Sequence, residues 1–306
     1  MLENINFAEP VIFQSIEAKT KADEQKMTDA MVKLSGEDPT FRVRNDAETG
    51  QTIIGGMGEL HLEIMVDRMK REYNVEANIG APQVAYREAI TKPVTQFRYT
   101  HKKQTGGSGQ FADIVINVMP TEPNEEGVRA TFEFESKIVG GVVPREFWGP
   151  VEKGCKTAME RGILAGYPLE NVRVELIHGS YHDVDSSAMT FELAGAEGFR
   201  EAARKASPVI LEPIMGMEVV TPEANMGDII GDLSSRRGRI VEMRPDKGGA
   251  QIVRAEVPLS ELFGYATSMR SMTQGRATYT MEPSHYEPVP SNIQTEILET
   301  VNGVKR

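Results

Sequence analysis

The sequence predicts an α+β protein made of three domains, and three observations support this prediction. A strand–helix–strand–strand–helix–strand order of hydrophobic patterns occurs near the N-terminus and again near the C-terminus. The residues between these two units follow a different order, in which several strands come first. The chain has 306 residues, of which 40% are hydrophobic and 26% charged, so it can form several folded cores.

The four helices of the two end units are predicted from apolar residues spaced i, i+3, i+4, i+7. The four groups are Met27/Ala30/Met31/Leu34, Leu62/Met65/Val66/Met69, Met226/Ile229/Ile230/Leu233 and Leu262/Tyr265/Ala266/Met269. Thr20 with Asp23 predicts a capping box for the first helix, and Thr221 followed by Pro222 predicts the start of the third. Strands are predicted over residues 11–18, 41–45, 51–54 and 75–79, and over 210–220, 239–243, 251–257 and 277–281. Both units therefore have the βαββαβ order of the ferredoxin-like fold.

The middle of the chain predicts a separate α+β domain. Its strands are predicted over residues 84–90, 96–103, 112–119, 130–134 and 172–177, with helices near 144–165 and 187–206. The predicted domain limits are therefore 1–82, 83–207 and 208–306. The last domain includes a short C-terminal helix with Ser291 as its cap.

The net charge of −11 disfavours nucleic-acid binding through overall charge but leaves room for local basic patches. Arg98, Lys102 and Lys103 form one patch, and the segment 234–247 carries five basic and two acidic residues. The sequence contains no apolar run of about 18 residues and begins without a signal-peptide pattern. The single cysteine, Cys155, cannot form an internal disulfide, so we expect a reducing compartment, the cytoplasm. We expect Cys155 to be a buried structural thiol.

Two polar loops of the middle domain form the candidate binding site. The first, residues 101–110, is rich in glycine, and the second, residues 178–187, contains two histidines and two aspartates. Polar loops held on rigid elements commonly contact partners. If their strands are neighbours, both loops project from one end of the domain. We expect Asp185, Ser186 or Ser187 to cap the following helix.

Three catalytic interpretations compete with this one. The first loop leads from strand to strand, and the sequence contains no G-x-x-x-x-G-K-[ST] string, so no nucleotide-binding loop is predicted. His178 and His182 with the neighbouring aspartates could hold the metal ion of a hydrolase, although their positions do not ensure convergence. Ser186, His182 and Asp185 are too close in sequence to form a hydrolytic triad easily. We therefore expect no catalytic residue and no metal in this chain.

Long, ordered strings of sequence occur in all three domains. They are KTKAD (19–23), EDP (37–39) and GMGELHLE (56–63); PQVAYRE (82–88), GGSGQ (106–110) and GSYHDVDSS (179–187); and LEPI (211–214), GDIIGDL (227–233) and VPLSELFGY (257–265). Together they resemble domains III, IV and V of translation elongation factor G, the ribosomal translocase. The resemblance covers nearly the whole chain.

The resemblance implies that the middle domain, with a fold like ribosomal protein S5 domain 2, is an arm that enters the decoding site. Its tip loops would contact the codon–anticodon duplex. The implied tRNA- and mRNA-contacting residues are Lys103, Gln104, Gly106, Gly107, Ser108, Gly109, His182, Asp183, Asp185 and Ser186. Arg236, Arg237 and Arg239 are implied contacts to ribosomal RNA. The implied partners are the rRNA of both subunits, ribosomal proteins, tRNA and mRNA, with no membrane and a monomeric state.

The family's GTPase domain and the β-barrel that follows it do not occur in this sequence. We therefore expect a fragment or truncated form that is not itself an enzyme, with its own GTPase domain as a further partner. GTP and Mg would be bound only in the full-length family. A ribosomal protection factor and a specialised paralogue of elongation factor G share the same layout and stay open. A metal-dependent hydrolase is the alternative from another class.

Overall fold

The structure is a computed structural model that describes residues 10, 12–45, 51–81, 83–103, 109–125, 127–301 and 303. The described chain divides into two compact units. The first contains the residues up to Ala85 together with Glu212–Glu287, and the second contains Tyr86–Leu211 together with the residues from Pro288. The first unit thus holds both predicted ferredoxin-like parts, and the domain limits given above stay a prediction.

The N-terminal half of the first unit has its strands in the predicted ferredoxin-like order. Its elements are β1 (Ile12–Ala18), α1 (Lys21–Glu37), β2 (Arg42–Asn45), β3 (Thr52–Gly56), α2 (Glu59–Tyr73), β4 (Ala77–Ile79) and β5 (Gln83–Val84). The sheet order is β2-β3-β1-β4, and β5 also pairs with β1. The Thr20 side chain accepts a hydrogen bond from the Asp23 amide, so Thr20 caps α1 as predicted, but the Asp23 carboxylate accepts from the Thr20 hydroxyl, and the second bond of the predicted capping box is not formed.

The second unit contains a four-stranded sheet in which three strand ends lie side by side. The elements are β6 (Arg87–Ile90), β7 (Val94–Lys103), β8 (Gln110–Pro120), β9 (Phe132–Ser136), α3 (Trp148–Arg161), β10 (Leu169–Glu170), β11 (Val172–Ser180) and α4 (Ala188–Lys205). The order is β7-β8-β11-β9, with β8 antiparallel to β7 and β11, and β9 parallel to β11. The C-terminal ends of β7 and β11 therefore lie beside the N-terminal end of β8, and β9 runs toward the same end but stops opposite Leu176 in the middle of β11. The strand ends that carry the two polar loops are thus neighbours.

The helices α3 and α4 pack against each other at very short range. A Cβ atom on Gly154 would lie 2.1 Å from the carbonyl oxygen of Glu192, and one on Gly195 would lie 2.5 Å from that of Val151. Cys155 is fully buried at this contact. Burial raises the pKa of its thiol far above the ordinary value, as expected for a structural cysteine.

The C-terminal part of the chain completes both units. Its elements are β12 (Pro208–Pro222), α5 (Met226–Ser235), β13 (Arg239–Pro245), β14 (Ala250–Pro258), α6 (Tyr265–Thr273), β15 (Thr278–Pro288) and α7 (Ser291–Val301). In the first unit the strand order is β13-β14-β12-β15, which is again ferredoxin-like. In the second unit, α7 is held where the Gln294 side chain accepts a hydrogen bond of 3.0 Å from the Ile210 amide.

The start of α5 differs from the prediction. Thr221 and Pro222 end β12, where they lie opposite Gln251 and Ala250 of β14. A 3-10 turn at Glu223–Asn225 follows, and α5 begins only at Met226. The predicted cap at Thr221 is wrong because pairing with β14 keeps these two residues extended.

Candidate nucleic-acid interface

The two polar loops are joined by hydrogen bonds at one end of the second unit. The amide of Gly109 donates to Oδ1 of Asp185 over 3.0 Å. The amide of Phe111 donates to the main-chain oxygen of Asp185 over 2.9 Å. The Ser186 hydroxyl donates to the main-chain oxygen of Phe111 over 2.7 Å. The end of the first loop is therefore fixed directly to the second.

His182 stands exposed on the second loop, with 59% of its side chain accessible. Its own amide donates to the Ser186 hydroxyl over 2.9 Å, and the amides of Val184 and Asp185 lie 3.4 Å from its Nδ1 atom. When Nδ1 of a neutral imidazole accepts hydrogen bonds, the ring proton is on Nε2. Nδ1 faces these two amides and lies 3.6 Å from Oδ2 of Asp185, so Nε2 is the ring nitrogen left to contact a phosphate or a 2′-hydroxyl oxygen.

A buried carboxylate below the loops ties three strands together. Asp113 of β8 is 1% exposed. Arg98 of β7 donates to both of its oxygens, at 2.9 and 2.7 Å, and the hydroxyls of Thr100 and Ser180 donate at 2.8 and 2.9 Å. Burial alone would raise the pKa of the Asp113 carboxyl, but these hydrogen bonds and the charge of Arg98 hold it below its ordinary value. The role of Asp113 was not predicted from the sequence.

A small basic cleft of about 220 Å³ lies between the two loops. Lys102, Lys103 and His182 line one part of it, and Asp185 lines another. We call it the basic cleft. The Asp185 carboxylate already accepts from the Gly109 amide, whereas both lysines are exposed. Exposed ammonium groups beside a ring N–H donor are suited to a phosphate group.

The predicted tip residues fall into three groups. Gln104, Gly106, Gly107 and Ser108 lie outside the described residues. Lys103, His182 and Asp183 are exposed. Gly109, Asp185 and Ser186 form the hydrogen bonds between the loops. Among the three candidate helix caps, Ser187 is the one that caps α4: its hydroxyl accepts from the Thr190 amide, and Thr190 Oγ1 accepts from the Ser187 amide.

A third loop at the same end of the sheet was not recognised in the sequence. It joins β9 to α3, and β9 ends beside β11 because the two strands are parallel. Gly140 and Gly141 have φ angles of +77° and +70°, a conformation that favours glycine. Val143 packs against the backbone of Gly179, where a Cβ atom would lie 2.8 Å from Val143 Cγ2. The glycine pair between a strand pattern and a helix pattern could have predicted this loop.

The geometry does not support the two hydrolytic alternatives. His178 lies within β11 opposite Val115. Within the described ranges, no three His, Cys, Asp or Glu side chains are grouped so that they could hold a metal ion. The Ser186 hydroxyl donates its proton to the Phe111 carbonyl and accepts from the main-chain amide of His182, so the imidazole does not activate it.

Two of the three arginines predicted to contact ribosomal RNA are held by ion pairs within the first unit. Arg236 donates to Asp232 over 2.8 Å, and its guanidinium lies 5.2 Å from the centre of the Tyr265 ring. Both Nη atoms of Arg237 donate to the carboxylate of Glu212, at 2.7 and 2.9 Å. These guanidinium groups therefore have partners inside the protein.

Arg239 differs from these two because 71% of its side chain is exposed. It pairs with Glu256 at the surface, and exposed ion pairs are weak. Among the three arginines predicted to contact ribosomal RNA, Arg239 is therefore the most accessible to a phosphate group. The contact itself stays a prediction.

None of the helices in the described ranges is long and apolar enough to cross a lipid bilayer.

Three family models match successive parts of the chain. The model of elongation factor G domain III matches residues 7–81, that of domain IV matches residues 82–207, and that of the elongation factor G C-terminus matches residues 209–297. A crystal structure of a protein from Thermus thermophilus is similar over 97% of this chain, with 36% identity and a TM-score of 0.75. This chain spans 44% of the length of that protein chain.

The three matches follow the order of the observed folds. A ferredoxin-like part comes first, an α+β part follows, and a second ferredoxin-like part completes the sequence. The predicted α+β fold class, with two ferredoxin-like parts on either side of a central α+β domain, is therefore confirmed, and the likeness of the central domain to ribosomal protein S5 domain 2 stays a prediction. The chain belongs to the elongation factor G family.

Proposed function

We propose that this chain is the ribosome-contacting half of a translocation factor. In this proposal the second unit is an arm whose tip enters the decoding site and contacts the codon–anticodon duplex. It holds the tRNA and mRNA as they move during elongation. The arm acts through shape and hydrogen bonds, and GTP hydrolysis takes place in a GTPase domain.

The observation that supports this proposal best is the junction of the two loops. Asp185 and Ser186 hold the second loop against Gly109 and Phe111. The junction presents His182 next to the basic cleft. Contact with an RNA backbone requires donors that are already positioned, because ordering flexible side chains opposes binding.

The partners in this proposal follow from its chemistry. The tip would contact tRNA and mRNA, while Arg239 would contact ribosomal RNA. GTP and Mg would be bound by the GTPase domain rather than by this chain. The factor would act as a monomer in the cytoplasm, with rRNA and ribosomal proteins of both subunits as its partners.

The test is His182→Ala in a protein in which this chain follows a GTPase domain. We expect tRNA movement, measured by rapid kinetics on pre-translocation ribosomes, to slow at least about tenfold if hydrogen bonds of the tip contribute roughly 1.4 kcal/mol to the barrier. Ribosome-stimulated GTP hydrolysis should stay nearly unchanged, because the substitution lies outside the GTPase domain.

His178→Ala is the matched control. His178 is also exposed, but it lies within β11 and is not part of the loop junction. This variant should translocate at the rate of the unmodified protein. If translocation and GTP hydrolysis fell together in His182→Ala, or if the two histidine variants behaved alike, the assignment of the tip would be wrong.

A further inference from the structure

A second cleft lies on the other side of the second loop, and its chemistry differs from that of the basic cleft. It has a volume of about 460 Å³ and is lined by Glu146, Phe147, Tyr181, His182 and Asp183, together with the start of α4. We call it the aromatic cleft. His182 lines this cleft as well as the basic cleft.

Aromatic rings connect this cleft to the core. Phe191 of α4 is fully buried, and its ring stacks on that of Phe147 with centroids 4.4 Å apart and an angle of 12°. The Phe147 ring in turn contacts the ring of Tyr181, with centroids 6.5 Å apart. Tyr181 is 42% exposed. The cleft therefore offers an accessible aromatic ring supported from below by packed ones.

The charge of the aromatic cleft is negative. Glu146 and Asp183 are exposed, and the residues that line the cleft include no lysine or arginine. The nearby Arg145 is turned toward Trp148, with its guanidinium 5.6 Å from the centre of that ring. Two carboxylates repel a phosphate group but accept hydrogen bonds from the amino group of a base.

We propose that the aromatic cleft binds an unpaired nucleobase that carries an exocyclic amino group, while a phosphate of the same strand lies in the basic cleft. Tyr181 would stack on the face of the base, as aromatic side chains do in single-stranded RNA recognition. Glu146 and Asp183 would accept from the amino group. Uracil would bind more weakly, because it offers the carboxylates one N–H donor at N3 between two carbonyl oxygens, whereas the amino group of cytosine offers two N–H donors. This inference rests on the proposed function and adds a preference among bases.

The chain contains its own reporter for this test. Trp148 is the single tryptophan of the sequence and follows Phe147 directly. It is half-buried, and its indole Nε1–H donates to the main-chain oxygen of Val143 over 3.1 Å. A ligand that moves Phe147 or Tyr181 should change the emission of this indole.

The experiment titrates the complete chain with hexacytidylate and with hexauridylate and follows Trp148 emission. These oligonucleotides carry the same phosphates and pyrimidines of nearly the same size, so they differ at the group on C4 and at the neighbouring N3 atom. We expect hexacytidylate to bind roughly fivefold more tightly or better. Equal affinities, or no binding of either oligonucleotide, would overturn the inference.

Three variants separate the contributions. The double variant Glu146→Gln with Asp183→Asn should lose the preference for cytosine, whereas Glu160→Gln, an exposed acid on α3, should keep it. Lys103→Ala should weaken the binding of both oligonucleotides to the same extent, because it removes a phosphate contact in the basic cleft. A cytosine preference that survived in the double variant would contradict the inference. The proposed function is decided separately by the ribosome assay of His182→Ala.

Discussion

The main-chain amide of Gly109 donates a hydrogen bond of 3.0 Å to Oδ1 of Asp185, 76 residues further along the chain. The approach is so close that a Cβ atom on Gly109 would lie 3.0 Å from Cγ of Asp185 and 3.1 Å from each carboxylate oxygen. A side chain at position 109 would therefore force the Asp185 carboxylate to shift by a few tenths of an ångström. The absence of a side chain here and the carboxylate at 185 together hold the two loops in contact.

Replacing Asp185 with alanine should loosen the junction between the loops. The Gly109 amide would lose its acceptor, and a hydrogen bond of about 1 kcal/mol corresponds to roughly a fivefold change in an opening equilibrium. We expect hydrogen exchange of the Gly109 and Phe111 amides, measured by NMR, to accelerate by about that factor. Asp185→Asn keeps an oxygen acceptor at the same place and should change exchange less. Equal exchange in the alanine variant and the unmodified protein would show that this bond does not hold the loops.

Asp113 should make the stability of the second unit depend on acid. The pKa of its carboxyl is lower in the folded state than in the unfolded chain, so the unfolded chain takes up a proton first as the pH falls. Its contribution to stability is therefore complete above the unfolded pKa of about 4 and is lost as the pH falls through the folded pKa. We expect the free energy of unfolding, measured with urea, to decline below about pH 4.

Asp113→Asn provides the comparison for this pH dependence. The amide cannot take up a proton in this range, and it also pairs poorly with Arg98. We expect this variant to lose about 1–3 kcal/mol of unfolding free energy at neutral pH, and its unfolding free energy should change less as the pH falls. Thr100→Ala keeps the carboxylate and should keep the acid dependence. If the stability of the asparagine variant declined equally steeply with acid, other carboxyl groups would be the cause of the decline.

The sequence predicted best what depends on local patterns. The helices followed the apolar spacing of groups such as Met27/Ala30/Met31/Leu34, all of which are buried in α1. The role of Asp113 could not be predicted, because an acid within an apolar strand is paired only through the register that brings Arg98 and Ser180 beside it. The start of α5 was missed for the same reason, since pairing between distant strands overrode a local cap.

Glu88→Ala should destabilise the second unit strongly. The buried Glu88 carboxylate accepts from the amides of Ile163, Leu164, Ala165 and Tyr167, with distances of 2.9 Å to Leu164 and 2.8 Å to Ala165. Without it, several amides of one loop would have no acceptor, at about 1–3 kcal/mol for each buried group. We therefore expect the free energy of unfolding to fall by about 3 kcal/mol or more.

The thiol of Cys155 can report this loss, because it is fully buried and reacts only when the second unit opens. In Glu88→Ala its reaction with a disulfide reagent in mild urea should be much faster than in the unmodified protein. Glu197→Ala is the control, since Glu197 and Arg200 form a partly exposed ion pair three residues apart on α4, and such a helical pair is worth less than about 1 kcal/mol. Equal labelling rates in the two variants would show that the Glu88 contacts do not stabilise this unit.

Arg237 should be a structural residue of the first unit. Its guanidinium holds Glu212, which is 2% exposed, and its backbone has a φ angle of +59°. Arg237→Ala would leave that carboxylate buried without its partner, and we expect a loss of about 3–5 kcal/mol in urea unfolding. Arg237→Gly should lose about 1 kcal/mol less, because glycine adopts this backbone conformation freely. If alanine and glycine were equally destabilising, the backbone would not contribute.

Arg239 should behave in the opposite way, because most of its side chain faces solvent. Arg239→Ala should change stability by less than about 0.5 kcal/mol. If Arg239 contacts a phosphate of ribosomal RNA, the variant should bind ribosomes more weakly, and the slope of log affinity against log salt should fall by about one. Measuring ribosome binding of the two arginine variants at several salt concentrations separates the structural role from the RNA contact. Arg237→Ala should lose affinity only in proportion to the fraction of the protein that is unfolded. An unchanged salt slope in Arg239→Ala would remove this residue from the proposed RNA contact.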